Sequence, residues 1–109
     1  MYLCNAFSGS MLSAIPTGEV RFCWISEEEA RQLVRHGFVS AVGHPGTAQV
    51  FTSRFVREIV EPNRKFVQLK PGDSALIGQV MTRLPEGKVL SAEELQGVEI
   101  RWLYIEVYE

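Results

Sequence analysis

The sequence predicts one α/β domain of the α+β kind, a mixed β-sheet covered by two or three helices. Three observations carry that prediction. An alternating segment, Glu19–Ile25, runs straight into the helix-start signal Ser26-Glu27-Glu28-Glu29; residues 74–84 are apolar on both phases, as in a strand buried on both faces, with a helix as the alternative; and residues 98–108 form a long closing strand with Ile100, Trp102, Tyr104 and Glu106 on one phase. One sheet layered against helices is the simplest way to bury such strands. A chain of 109 residues fits one domain, spanning 1–109, and is large enough to build a core without disulfide or metal staples. No repeat, low-complexity tract or Pro/Gly/Ser-rich linker interrupts it, so the whole chain is expected to fold.

Taken in order, residues 2–6 read as a short strand that stops in Asn5-Ala6-Phe7-Ser8-Gly9-Ser10, a loop whose small polar residues offer donors to a ligand. Pro16-Thr17-Gly18 marks a turn before the strand Glu19–Ile25, where Val20, Phe22 and Trp24 share a side. In the capping box, the Ser26 hydroxyl accepts from the Glu29 N–H while Glu29 reaches back, and three acids suit the helix N-terminus. That helix is expected to reach His36 and stop at Gly37, with His36 complementing the C-terminal dipole, a structural duty. Residues 38–42 form a short apolar segment that leads to Gly43-His44. A second helix, with Pro45 in its first turn and Ala48, Phe51 and Phe55 on its buried face, is expected to end near Arg57.

After Pro62-Asn63, residues 64–69 alternate and read as a strand entered by Arg64, followed by the hairpin-type turn Pro71-Gly72-Asp73. Gln79 stands out in the apolar run 74–84: a buried glutamine either satisfies backbone groups or faces a polar cavity. The run ends in Arg83-Leu84-Pro85-Glu86-Gly87, which sets a cation and a carboxylate three residues apart, and Ser91-Ala92-Glu93-Glu94 starts a short helix.

Several function classes are disfavoured by composition. No apolar run approaches the ~20 residues that span a bilayer, and Met1-Tyr2-Leu3-Cys4-Asn5 lacks the basic n-region of a signal peptide, so a cytoplasmic protein without a membrane partner is expected. Cys4 and Cys23 sit in strand-like runs without metal-ligand spacing, which predicts buried reduced thiols and no metal. The formal charge of -2 argues against a general DNA-coating protein. Charge is unevenly placed, however: the stretch from Arg31 to Arg83 carries a net +5 and the flanks -7, which suits either a local pocket for a small polyanion or scattered solvated charge.

The segment Gly43-His44-Pro45-Gly46-Thr47 carries the chemistry. Pro45 suits a first helical turn, where unpaired N–H groups and the helix dipole favour an anion, and an imidazole beside them can act as general acid or base, histidine having an ordinary pKa near ~6.5. A phosphoryl-transfer site is one reading; the other is that His44 simply caps a helix or fills a turn.

Five segments in order resemble the viral ring nucleases, type III anti-CRISPR proteins that degrade cyclic tetra-adenylate, and their bacterial relatives. They are Tyr2-Leu3-x-Asn5-Ala6-Phe7-Ser8, Gly43-His44 with Thr47 before a helix, Asn63-Arg64, Gln79 in an apolar strand, and Arg83-Leu84-Pro85-Glu86-Gly87. Together they span nearly the whole chain, although Gly-His and Pro-Glu-Gly are individually common. The resemblance implies a homodimer built on a five-stranded mixed sheet, with the cyclic nucleotide enclosed across the two-fold axis. It implies that His44 is the catalytic histidine, assisted by Glu86 and Arg83, and that Asn5, Arg64 and Gln79 hold the ligand; Ser8 and Ser10 of the polar loop and Thr47 beside the histidine are further candidate ligand contacts. Neither a cofactor nor a stable DNA or RNA partner is implied. The sequence departs from the family at Pro45-Gly46, where relatives often carry more polar residues.

The expected chemistry needs no metal, because RNA carries its own nucleophile. A ribose 2′-OH held in line attacks the adjacent phosphorus, His44 protonates the departing 5′-oxygen, Arg83 stabilises the phosphoryl oxygens, and Glu86 orients the histidine or accepts the 2′-OH proton. Products would carry 2′,3′-cyclic phosphate ends. Competing readings are a small dimeric viral nucleic-acid-binding or regulatory protein without catalysis, a sponge that binds the cyclic nucleotide without cleaving it, and a plain interaction module in which every motif is turn chemistry.

Overall fold

Three parallel strands form one side of the sheet: β1 (Tyr2–Cys4) lies between β3 (Val39–Ala41) and β4 (Ser74–Val80). On the other side β5 (Ile100–Tyr108) pairs antiparallel to β4, and β2 (Glu19–Ile25) pairs antiparallel to β5, giving a five-stranded mixed sheet in the order β2-β5-β4-β1-β3. The computed structural model describes residues 1–84 and 89–109.

Three helices cover one face: α1 (Glu27–Arg35), α2 (Pro45–Phe55) and α3 (Ala92–Gln96). Both predicted capping boxes form, with Ser26 accepting from the Glu29 N–H and Ser91 from the Glu94 N–H, each at 3.1 Å. The principal core lies under α1 and α2, where Leu3, Val34, Val42, Phe51, Phe55, Leu76 and Trp102 are buried. Phe51 and Phe55 stack tilted on Trp102, with ring centroids 5.0 and 5.2 Å away. These rings press onto β4 at Gly78, where a Cβ would collide with both Phe51 and Trp102. Gly78→Ala is therefore expected to overpack the core and cost about 1–3 kcal/mol, read as a lowered midpoint in thermal unfolding.

Among the described residues no α-helix covers the opposite face, which is left uncovered around Phe22 and Trp24. A second cluster forms there from Cys4, Met11, Val67, Leu69, Ala75, Ile77, Ile105 and Val107, in which a 3₁₀ turn (Gly9–Leu12) and the irregular segment 64–69 act as the lid. The expected strand over 64–69 is thus corrected. Its alternation is real, with Val67 and Leu69 buried and Phe66 and Gln68 exposed, but the segment crosses over the sheet face instead of joining an edge. Leu69 N–H donates to Met11 O at 2.7 Å, not to a neighbouring strand. Residues 70–73 accordingly form a turn into β4, with Gly72 at φ +95°, and not a hairpin between two strands.

Two further expectations need adjustment. The second helix ends at Phe55, two residues before Arg57, where Val56 takes φ 66°. Cys4 is buried as expected, whereas Cys23 is exposed, because β2 is an edge strand with little packed against that residue. Burial pushes the Cys4 thiol up from 9.0 to about 11. A raised pKa means that the folded chain holds this proton more tightly. The associated stability, on the order of 2–3 kcal/mol, is present in full below pH 9.0 and is lost as pH climbs toward about 11. Urea unfolding at pH 8 and 11 should therefore show a larger loss for the wild type than for Cys4→Ala.

Candidate functional site

Parallel strands leave their carboxyl ends on one side of the sheet, and in open α/β sheets ligand crevices form beyond those ends. Here the ends of β1, β3 and β4 deliver Asn5, His44 and Gln79 respectively. These three, with Thr47, Val80 and Leu84, line a cavity of about 290 Å³. Asn5 follows the last residue of β1, His44 is the N-cap of α2, and Gln79 is the penultimate residue of β4. The cavity thus gathers side chains that lie 74 residues apart in the sequence, from Asn5 to Gln79.

His44 is held in a defined way. Its Nδ1 accepts from the Thr47 backbone N–H at 3.1 Å and lies 3.1 Å from the Thr47 hydroxyl oxygen. The neutral ring therefore carries its proton on Nε2, the nitrogen outside the cap. When the ring is charged, Nδ1 becomes a donor and the Thr47 hydroxyl is there to accept from it. Thr47, only 6% exposed, meets the ring with both its N–H and its hydroxyl. The departure at Gly46 now has a cause: a Cβ there would come within 2.9 Å of His44 Cε1 and 3.3 Å of Nδ1, so glycine makes room for the ring to fold back over the helix start.

The capping reading of His44 is realised, through Nδ1, and the cap leaves Nε2 unused. One sequence expectation changes as a result. The first turn of α2 is not a row of free donors, since the Thr47 N–H goes to the His44 ring and the Ala48 N–H to His44 O at 3.0 Å.

The other candidates divide. Gln79 is not buried, as the apolar run suggested, but exposed, and it faces the cavity. Arg64 lies across Gly43, its Nε donating to Gly43 O at 3.4 Å, which places its side chain against the residue before His44 but outside the cavity lining. The neighbouring Asn63 fastens this segment to the β3 edge, its N–H donating to Val42 O and its Nδ2 to Ser40 O, each at 2.7 Å. Ser8 and Ser10 line an adjacent cavity of about 160 Å³ with Cys4, Lys65 and Phe66, and their hydroxyls lie 2.8 Å apart. The structure does not bring them to His44.

Arg83 is exposed next to Leu84, which forms one wall of the cavity. Glu86 lies outside the described residues. The walls Val80 and Leu84 were not singled out from sequence, where nothing distinguishes them from core residues. Gln79 has a further neighbour on the uncovered sheet face: it pairs in register with Arg101, whose guanidinium sits 4.3 Å above the Trp24 ring. No helix among the described residues is long and apolar enough to cross a membrane.

Fold and site together define a small α+β domain whose mixed sheet opens a histidine-bearing cavity at the carboxyl ends of its parallel strands. The chain belongs to the STIV B116-like family, whose model matches residues 1–102. Its fold is similar to that of B116 of Sulfolobus turreted icosahedral virus, with a TM-score of 0.77 at 31% identity, covering 96% of this chain and 97% of that one. Viral relatives agree. Uncharacterized protein 26 of Sulfolobus islandicus filamentous virus is 42% identical over 80 residues, 71% of this chain and 67% of the relative. Uncharacterized protein ORF116 of Acidianus filamentous virus 1 is 36% identical over 103 residues, 86% of this chain and 80% of the relative.

Proposed function

We propose that this protein is a metal-independent ring nuclease that cleaves cyclic tetra-adenylate into linear di-adenylates with 2′,3′-cyclic phosphate ends. In a cell it would act in the cytoplasm and silence type III CRISPR signalling. The observation that carries the reading is the tethered His44, with Nδ1 committed to Thr47 and Nε2 left for a ligand, in a cavity shared with the polar side chains of Asn5 and Gln79.

The chemistry follows from those atoms. Attack of a ribose 2′-OH on its own phosphate needs in-line positioning more than it needs a strong base, and Asn5 and Gln79 supply amide donors and acceptors to hold the nucleotide. As the 5′-oxygen leaves, the imidazolium gives it the Nε2 proton and is left neutral with its remaining proton on Nδ1, directed at the Thr47 hydroxyl oxygen; proton exchange with water then restores the form whose Nδ1 accepts from the Thr47 N–H. Arg83 and Arg64 bring cations to the rim for the phosphoryl oxygens, and Glu86, by the resemblance, assists from the same loop as Arg83.

A homodimer belongs to the same proposal. The cavity of about 290 Å³ lies at the lower end of the ~300–1,000 Å³ that drug-sized ligands occupy, and a ring of four nucleotides exceeds any of those. Two such cavities facing each other across a two-fold axis would divide the ring between them. The uncovered sheet face supplies a surface for the second copy: Phe22 and Trp24 are 67% and 44% exposed and lie beside Leu103 on the face that carries Gln79. A cluster of large apolar side chains around a stacked arginine has the composition of an interface core.

Incubation of the purified protein with cyclic tetra-adenylate in excess EDTA, with products resolved by chromatography, tests the activity. Linear di-adenylate with cyclic phosphate ends is expected. Binding without conversion would mean a sponge, and restoration of cleavage only by divalent ions would mean a different mechanism.

A further inference from the structure

Arg54 is 9% exposed, an uncommon position for a guanidinium, and none of the chemistry above uses it. It projects from the last turn of α2 and grips two other helices. Its Nη1 donates to Glu27 Oε1 of α1 at 2.7 Å. Its Nη2 donates to three carbonyls at and beyond the C-terminus of α3, those of Leu95, Gln96 and Val98. Glu27 is itself held by Arg31 at 3.1 Å and accepts from Trp102 Nε1 at 3.4 Å, and Arg31 Nε caps the carbonyl of Arg54 at 2.8 Å.

Such an arrangement is a poor means of gaining stability. Buried ion pairs are often matched or bettered by apolar side chains of similar size, and Arg54 Nε is buried with no partner among the described residues. What an apolar side chain cannot do is fix the direction of three carbonyls at once. That matters for α3, which has five residues and is far shorter than the ~12–15 that sustain an isolated helix. Its place rests on Arg54 and on the packing of Leu90, Leu95 and Val98 against Val50, one turn before Arg54 on the same helix.

In the sequence Arg83 and Leu84 fall between two anchored segments. One is the end of β4, where Met81 N–H donates to Glu99 O at 2.8 Å and Glu99 N–H to Thr82 Oγ1 at 3.3 Å. The other is α3. Since α2 has His44 at its N-terminus and Arg54 ten residues later, a rod about 15 Å long joins the catalytic imidazole to the group that seats α3.

We infer that Arg54 is a positioning residue: through its hold on α3, against whose apolar cluster Leu84 packs, it sets where Leu84 and the adjoining Arg83 lie relative to His44. The catalytic part of this inference rests on the ring-nuclease reading, whereas the geometric part stands without it. Arg54→Lys keeps a cation opposite Glu27 but lacks the paired donors for the α3 carbonyls, and Arg54→Met keeps the volume alone.

The test is to compare backbone amide and His44 ring resonances, amide exchange, cyclic tetra-adenylate affinity and cleavage rate in wild type and both variants. Expected for Arg54→Lys are shifted Leu84 and Leu90 amides and a shifted His44 ring, with exchange at Leu95 and Gly97 faster by ~10-fold or more while β4 and β5 keep their protection. The cleavage rate should fall ~10-fold or more with little change in affinity, because the groups displaced act in the transition state. Unchanged Leu84 and His44 resonances in a folded variant overturn the inference, and so does an unchanged rate when α3 has loosened. A wild type that cleaves nothing overturns the ring-nuclease reading alone, and the resonances then decide the geometric coupling.

Discussion

Replacing His44 with alanine should leave cyclic tetra-adenylate bound and lower its cleavage by ~10²–10⁴-fold, the contribution of a well-placed general acid. The separation of the two effects follows from the division of labour around the cavity. Asn5 and Gln79 stand at the ends of β1 and β4, which are hydrogen-bonded to each other in the sheet and not held by the His44 ring, so the groups that would hold the ligand survive the substitution. The imidazole alone is lost, together with the cap it gives the Thr47 N–H. Losing an N-cap costs about 0.5–2 kcal/mol of stability, which a thermal melt would register without the domain unfolding. Full cleavage by a folded His44→Ala protein would remove this residue from the mechanism, and loss of binding in step with cleavage would make it a ligand contact only.

Disruption of the uncovered sheet face should have a comparably large effect by a different route. Phe22 and Trp24 belong to the edge strand β2, where their side chains contribute little to the core, so the double variant Phe22→Glu, Trp24→Glu is expected to fold as a monomer. A central tryptophan in an interface is commonly worth at least ~2 kcal/mol, about 30-fold in association, and two buried carboxylates add their desolvation cost. Sedimentation velocity should show a wild-type dimer and a variant monomer, and the variant should bind the ring weakly because each cavity meets only part of it. A variant that stays dimeric would place the two-fold axis elsewhere. A wild type that is monomeric at high micromolar concentration would remove the shared site.

The two effects separate in concentration dependence. For His44→Ala the rate is low at every protein concentration. For the sheet-face variant it should recover as concentration rises, since Phe22 and Trp24 lie outside the His44 cavity of each copy.

Much of the fold was legible because its signals are local. Ser26-Glu27-Glu28-Glu29 and Ser91-Ala92-Glu93-Glu94 start helices wherever they are placed, since a capping box satisfies donors within one turn. The double-phase hydrophobicity of residues 74–84 announced a central strand, and β4 does lie between β5 and β1, although it ends at Val80. Length and pattern likewise gave the closing strand away. The alternation of residues 64–69 misled because a segment lying across a sheet face also buries every second side chain, so periodicity reports burial and not hydrogen-bond partners. Cys23 and Gln79 read as buried in the sequence and are exposed in the structure, because an apolar run does not say which strand is at an edge or how far the cover extends.

The candidate site divides in the same way. From sequence alone came the residue types and their local settings: a histidine before Pro45, a polar loop after β1, a glutamine in an apolar strand, and the resemblance that tied them together. Only the tertiary structure decided that Asn5, His44 and Gln79 share one cavity, that Ser8 and Ser10 belong to the next one, and that Arg54 joins three helices behind the site. The physical reason is range. Caps, turns and burial periodicity are settled within a few residues, whereas the sharing of a cavity depends on strand order and crossovers, which are set by how distant apolar surfaces close over one another.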